Sequence, residues 1–341
     1  MQQRRWFPCP GCDRMVTALV LGSGPRNREY YSDTHCCLNC KRGEGHHPDW
    51  GCAGVPSCAF REVGLEGAVA HCIVHAPPLL EGAAAAPAIL FLHGGVTYVY
   101  PETLWWDVRH MLERNPVARE RFVVVAPFAS VGEPLSLVSE TRKKDDRFGN
   151  PGPYVDDFDE DLVWATFLEA LRQLGPQRVD LARLHVVGYS MGGQSAWNLM
   201  TRYGSRLAGA APFAGCCAWR GDAWGLQDAI LQQLLQLPIR SFNGEDDTGT
   251  FSWRDFVWLG TCRGFAKEPV QRTEAHVENV ELNIYEWGDR LQLCLVRGTR
   301  SSHCCWDVVL HNEESFQLFT WMESLRCRTP ILAEEFATAS W

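Results

Sequence analysis

Ser190 stands in Gly188-Tyr189-Ser190-Met191-Gly192-Gly193, directly after the apolar run Leu184 to Val187 and before a helix-like stretch, Gln194 to Arg202. A serine can project from a sharp strand-to-helix turn only if the residues two positions either side are small, and glycines stand at both. The exposed hydroxyl is then suited to nucleophilic acyl transfer. The helix that begins there directs its free N–H groups and positive end at the site, and the N–H of Met191 can bind a developing oxyanion. The plain alternative is a glycine-rich turn with an incidental serine. Upstream, Phe91-Leu92-His93-Gly94-Gly95 ends another apolar run, and a loop there can supply a second oxyanion N–H from Gly94 or Gly95. His93 is expected to be structural.

A serine hydroxyl needs a base, and the base needs an orienting acid; after an elbow of this kind they follow in the order Ser, acid, His. The run Ile239 to Asn243 leads into Gly244-Glu245-Asp246-Asp247, where an acid should emerge from a strand end. Asp247 is the first candidate and Asp246 the second; one of them must be a turn residue. Three histidines follow the elbow: His276, His303 and His311. His303 comes a short polar loop after the apolar run Leu291 to Val296 and just before a helical pattern, which is where a base belongs. His276 and His311 are expected to face solvent. Cys304 and Cys305, next to His303, have two readings: core residues at a helix start, which is the first choice because cysteine is among the most buried residue types, or a thiolate favoured by the imidazole beside it.

These residues need a scaffold, and the chain offers one. Short apolar runs at Gly67 to His75, Ala88 to Leu92, Phe122 to Ala126, Leu184 to Gly188, Ala208 to Ala214, Ile239 to Asn243 and Leu291 to Val296 alternate with helical patterns at Glu102 to Arg114, Asp157 to Leu174, Gln194 to Arg202, Leu226 to Leu235 and Trp306 to Leu325. Such alternation implies an α/β fold, a mostly parallel sheet covered by helices on both faces, with ligand sites at the carboxyl ends of its strands. The hydrophobic fraction of 46% and charged fraction of 21% suit an ordinary globular core. A net charge of −9 argues against nucleic acid as a partner, because phosphate contacts need a basic surface. The first ten residues lack the apolar stretch of a secretory signal and no run reaches the length of a membrane span, so a cytoplasmic protein without a membrane partner is expected.

The chain changes character near Phe60, which divides it into residues 1–60 and 61–341. Seven of its fifteen cysteines precede residue 60. Cys9-x2-Cys12 is followed, 24 residues on, by Cys37-x2-Cys40, and then by His47 and Cys52. Paired thiolates at this spacing can hold a structural Zn²⁺, which would stabilise a segment too short for its own core. Cys9, Cys12, Cys37, Cys40, His47 and Cys52 are the candidate ligands. Free thiols or a disulfide staple are the alternatives. The segment also resembles cysteine- and histidine-rich finger modules, which suggests a protein partner for it.

Beyond residue 60 the chain resembles the esterase and polyhydroxybutyrate-depolymerase-like branch of the α/β-hydrolases, over about residues 65 to 326. The resemblance is carried by Val179 to Gly193, Tyr203 to Gly215 and Asp156-Asp157-Phe158. The family's His-Gly-x-x-Asp falls on Asn243-Gly244-Glu245-Asp246-Asp247, and its Gly-His-x-x-Trp-Asp on Ser302-His303-Cys304-Cys305-Trp306-Asp307. It therefore implies Ser190, Asp247 and His303 as a triad. Asn243, Ser302 and Thr248-Gly249-Thr250 depart from the pattern without removing a catalytic group.

The function expected is hydrolysis of an ester, or of a thioester or peptide-like acyl bond, through an acyl-enzyme on Ser190, with no cofactor for catalysis. Small-molecule and polymer esters both fit. The rival reading is a catalytically silent hydrolase fold that binds a partner through the cysteine-rich segment. Trp219, Trp224, Trp253, Trp258 and Phe265 are the expected pocket walls or, alternatively, core.

Overall fold

The computed structural model describes residues 6–8, 15–17, 58–65, 68–78, 84–95, 102–127, 158–215, 228–247, 253–275, 280–299 and 302–338. Two short strands, β1 (Trp6–Pro8) and β2 (Met15–Thr17), pair antiparallel with each other. The proposed metal ligands Cys9, Cys12, Cys37, Cys40, His47 and Cys52 lie outside the described residues. Among the described residues no helix is long and apolar enough to cross a membrane.

The remaining strands are β3 (Cys58–Leu65), β4 (Ala68–His75), β5 (Ala86–Leu92), β6 (Val123–Pro127), β7 (Val179–Tyr189), β8 (Gly209–Phe213), β9 (Ile239–Gly244), β10 (Val270–Ala275), β11 (Glu281–Glu286) and β12 (Leu291–Arg297). They form one sheet in the order β10-β11-β12-β9-β8-β7-β5-β6-β4-β3. From β12 to β6 neighbours are parallel, while β4 and β3 at one edge, and β11 and β10 at the other, run antiparallel. The change of character near Phe60 falls inside β3, which pairs with β4 along its whole length.

Residues on the inner strands are apolar on both faces because helices cover both. Along β5, Ala88, Leu90 and Leu92 join one core, and Ile89 and Phe91 the other; β12 divides the same way, with Leu291, Leu293 and Leu295 opposite Cys294 and Val296. The helices are α1 (Glu102–Arg114), α2 (Pro116–Arg121), α3 (Glu160–Leu174), α4 (Met191–Tyr203), α5 (Asp228–Leu234), α6 (Trp253–Cys262), α7 (Cys305–His311), α8 (Glu313–Phe316), α9 (Leu318–Glu323) and α10 (Ala333–Thr338). Helices α3 to α6 and α10 contribute to the first core; α1, α2 and α7 to α9 contribute to the second.

One expected helix is broken. The pattern from Trp306 to Leu325 folds as α7, α8 and α9, with Gln317 between the last two at φ 48°. The buried Glu313 carboxylate is the physical reason: it accepts the backbone N–H groups of Phe319 at 3.1 Å and Thr320 at 2.7 Å, capping α9. The Asn115 side chain donates to the same carboxylate at 3.1 Å and to the Leu310 carbonyl at 3.1 Å, tying the start of α2 to this corner. Two strands, β10 and β11, and the helix α6 arise where the sequence suggested only loops and pocket wall.

Candidate active site

Strand β7 at the middle of the sheet ends at Tyr189, and the chain turns at Ser190 directly into α4. Ser190 has φ 55° and ψ −119°, a conformation that side-chain-bearing residues rarely adopt and that persists only where neighbours enforce it. Its N–H donates to the Phe213 carbonyl of β8 at 2.9 Å, and its own carbonyl accepts from Gln194 N at 3.0 Å in the first turn of α4. The flanking glycines are demanded by packing as much as by the turn. A Cβ on Gly188 would strike the Gly192 carbonyl, and one on Gly192 would strike that of Leu92.

His303 lies in the one-turn 3-10 helix Ser302–Cys304 between β12 and α7. Its Nε2 is 3.0 Å from Ser190 Oγ, and its Nδ1 is 2.7 Å from Asp247 Oδ2. With the proton on Nδ1, the ring donates to the carboxylate and leaves Nε2 free to accept from the serine hydroxyl. Asp247 follows β9 in a turn closed by its N–H to the Gly244 carbonyl at 3.0 Å. Of the two adjacent carboxylates, Asp247 meets the imidazole and Asp246 is exposed to solvent. Gly244 lets this turn approach the other: a Cβ there would fall on the backbone of Ser302. The three groups arrive from three separate strand ends, at the carboxyl edge of the parallel sheet.

Met191, the first residue of the thirteen-residue α4, is 8% exposed beside the serine. Gly94, after β5, is buried, and a Cβ on it would come within 3.4 Å of Ser190 Cβ and 2.5 Å of the Tyr189 ring; one on Gly95 would meet open space. His93 is fully buried, with Nδ1 2.8 Å from the Gly94 carbonyl and its ring edge-on to Phe158. Burial lowers its pKa to about 4, so it is neutral and acts as a brace for the loop.

Sequence reasoning missed a group behind the serine. The Tyr189 hydroxyl donates to Asp107 of α1, and the Tyr189 ring stacks on Trp306 of α7 with centroids 4.2 Å apart and planes 22° apart. Trp306 in turn meets the His303 ring edge-on, at 5.7 Å and 89°. Burial pushes the Asp107 carboxyl up to about 7, against the lowering effect of the tyrosine hydrogen bond, and the nearby Asp307 adds to the rise. No spacing rule joins position 107 to 189.

Of the two readings of the cysteines beside His303, Cys305 follows the core one: it is fully buried, with Sγ 3.7 Å from the Phe242 carbonyl, and burial pushes its thiol up. One expectation is corrected. His311 is half-buried rather than solvent-facing, with its ring 6.0 Å from that of His110, and burial lowers its pKa to about 4. Among the expected pocket walls, Trp253 packs edge-on against Tyr285 of β11, beside the first half of β12 and so away from the end that leads to His303. Trp258 packs on the first core, Phe265 is 37% exposed, and Trp219, Trp224 and His276 lie outside the described residues.

A mostly parallel sheet covered on both faces, with a strained serine at the turn after its central strand, is an α/β-hydrolase architecture. No protein-family model matches the sequence, and no curated protein matches it. Solved structures similar to the chain include a thermostable esterase, at 16% identity and TM-score 0.46 over 79% of this chain and 63% of that one. The chain thus spans under two thirds of that esterase's length. An acetyl xylan esterase from Aspergillus awamori is similar at 15% identity and TM-score 0.45, over 76% of this chain and 99% of the other. Fungal esterase from Rhizomucor miehei is similar at 13% identity and TM-score 0.45, over 78% and 82%.

Proposed function

We propose that this chain is a serine hydrolase that cleaves carboxylic esters by acyl transfer to Ser190. The observation that supports the reading is the unbroken line from Asp247 Oδ2 through His303 to Ser190 Oγ, at 2.7 and 3.0 Å. Ser190 Oγ attacks the ester carbonyl carbon while its proton passes to His303 Nε2. The carbonyl oxygen becomes an oxyanion, held by the N–H groups of Met191 and the Gly94/Gly95 loop at the positive end of α4. Collapse breaks the ester C–O bond, and His303 returns the proton to the departing alcohol. Water then attacks the acyl-serine with the same base, releasing the acid and restoring the hydroxyl. Asp247 keeps the imidazole in the tautomer that can accept.

Small esters are the proposed substrates, and the chemistry itself calls for no cofactor. Ser190→Ala should lower turnover of p-nitrophenyl acetate by about 10⁴-fold or more with the fold intact, and should end labelling by a fluorophosphonate. A folded variant with more than about a tenth of native activity would falsify the assignment of Ser190. A native chain that neither turns over esters nor takes the label is the silent, partner-binding platform instead. The cysteine-rich segment is proposed to carry a structural Zn²⁺; elemental analysis should find about one per chain, and chelation should leave ester turnover unchanged.

A further inference from the structure

We infer that Asp107 and Tyr189 are positioning residues for the base His303, acting through the indole of Trp306. The inference rests on the hydrolase reading above. His303 is only loosely enclosed, with 43% of its side chain exposed. Apart from Ser190, the group it must deprotonate, the ring is hydrogen-bonded to Asp247, and once the serine hydroxyl turns to substrate a ring held there alone can swing about that contact. A second restraint is needed to aim Nε2 at Ser190. The indole of Trp306 supplies it, standing perpendicular to the imidazole at 5.7 Å.

Trp306 is itself a half-buried side chain and needs a backing. That backing is the Tyr189 ring, stacked on it at 4.2 Å. Tyr189 is 7% exposed, immediately precedes the nucleophile, and its hydroxyl is tied to the carboxyl of Asp107 on α1. One hydrogen bond from a helix on the far side of the ring therefore fixes the tyrosine, the tyrosine fixes the indole, and the indole fixes the imidazole. The order of elements is α1, the end of β7, then α7. The same tyrosine leads the chain into the strained serine, so nucleophile and base are braced by one side chain. Aim matters here because displacements of about 1 Å in a reacting group can cost on the order of 100-fold in rate.

The test uses the full chain and two nearly isosteric variants. Tyr189→Phe keeps the stacked ring and removes only the hydroxyl; Asp107→Leu keeps nearly the same shape and removes the acceptor oxygens. Each should lower kcat for p-nitrophenyl acetate about tenfold, with KM within about twofold and the melting temperature close to native. The double variant should be no worse than either single, because both cut the same hydrogen bond. Independently of turnover, the imidazole Nδ1–H resonance of His303 should shift in both variants. Native kcat and an unmoved resonance in Tyr189→Phe would overturn the inference, as would losses that multiply in the double variant. If the native chain turns over no ester and takes no fluorophosphonate, yet the resonance moves, the hydrolase reading fails while the positioning contact stands.

Discussion

Strand β5 at the centre of the sheet reads Ala88-Ile89-Leu90-Phe91-Leu92 without one polar side chain, whereas β10 at the edge reads Val270-Gln271-Arg272-Thr273-Glu274-Ala275. Both are regular strands in the same sheet. The centre is covered on both faces, so every side chain from Ala88 to Leu92 is buried, and the polar groups that inner strands do carry away from their ends, such as His185, are buried with them. On the edge strand, described residues are largely exposed, and its partner β11 answers with Asn283 and Glu286. Charges along an edge also discourage pairing with a further strand. The contrast shows why chemistry is concentrated at the ends of the inner strands: there a polar group can be held by rigid neighbours without being buried in the core.

The strongest way to sharpen this contrast is at the end of β9, where two carboxylates are adjacent and only one faces inward. Asp247→Asn should lower kcat by about 10³ to 10⁴-fold, since the amide can no longer hold the imidazole in its accepting tautomer. Asp246→Asn, at an exposed position, should change kcat by less than about twofold. Parallel kinetics on the two variants decides the matter, and the reverse ranking would transfer the orienting role to Asp246.

A smaller effect tests the buried centre through His185, which is fully buried on β7 with Phe122 edge-on to its ring. Burial lowers its pKa to about 3, from 6.5. Between those values the unfolded chain binds the proton and the folded chain does not. The contribution to stability is thus complete above pH 6.5 and is lost as pH falls toward 3. His75 and His93, each lowered to about 4 chiefly by burial, act in the same direction. Each such histidine can steepen the loss by at most about 1.4 kcal/mol per pH unit. Urea unfolding at several pH values should show this slope, and His185→Leu should make it shallower. An identical slope in that variant would remove His185 from the account.

The same contrast explains what was legible in the sequence. Apolar runs such as Ala88 to Leu92 and the glycine-flanked Ser190 announce themselves because full burial and a strained turn each tolerate few residue types. The helix Glu102 to Arg114 was bounded correctly, since its apolar positions face one core. Strand β10 was missed because Gln271 to Glu274 carry no apolar alternation that distinguishes an edge strand from a loop; β11 does alternate, with Val280, Leu282 and Ile284 in one core and Glu281 and Asn283 between them, but over too short a run to stand out. The breaks at Asn312 and Gln317 were invisible because they depend on Glu313 meeting backbone groups and Asn115, a contact across nearly 200 residues. Asp107 was missed for a related reason: a carboxylate on a helix reads as a solvated residue until the fold brings Tyr189 to it.

The smallest effect belongs to the edge hairpin. Arg272 of β10 lies 3.3 Å from Glu286 of β11 and also contacts Glu274, with 44% of the arginine side chain exposed. Charges so exposed gain little from pairing, because water and salt screen them and ordering two long side chains costs entropy. A double-mutant cycle on Arg272→Ala and Glu286→Ala should therefore give a coupling of no more than about 1 kcal/mol at low salt, shrinking further at high salt. Ester turnover should be unchanged in all three variants, because the hairpin lies outside β12 at the sheet edge and contributes no side chain to the Asp247, His303 and Ser190 line. Unfolding measured at two salt concentrations, together with kcat, checks both parts. A coupling above about 2 kcal/mol, or a tenfold fall in kcat, would show that the edge is a structural support for the site and not a solvated rim.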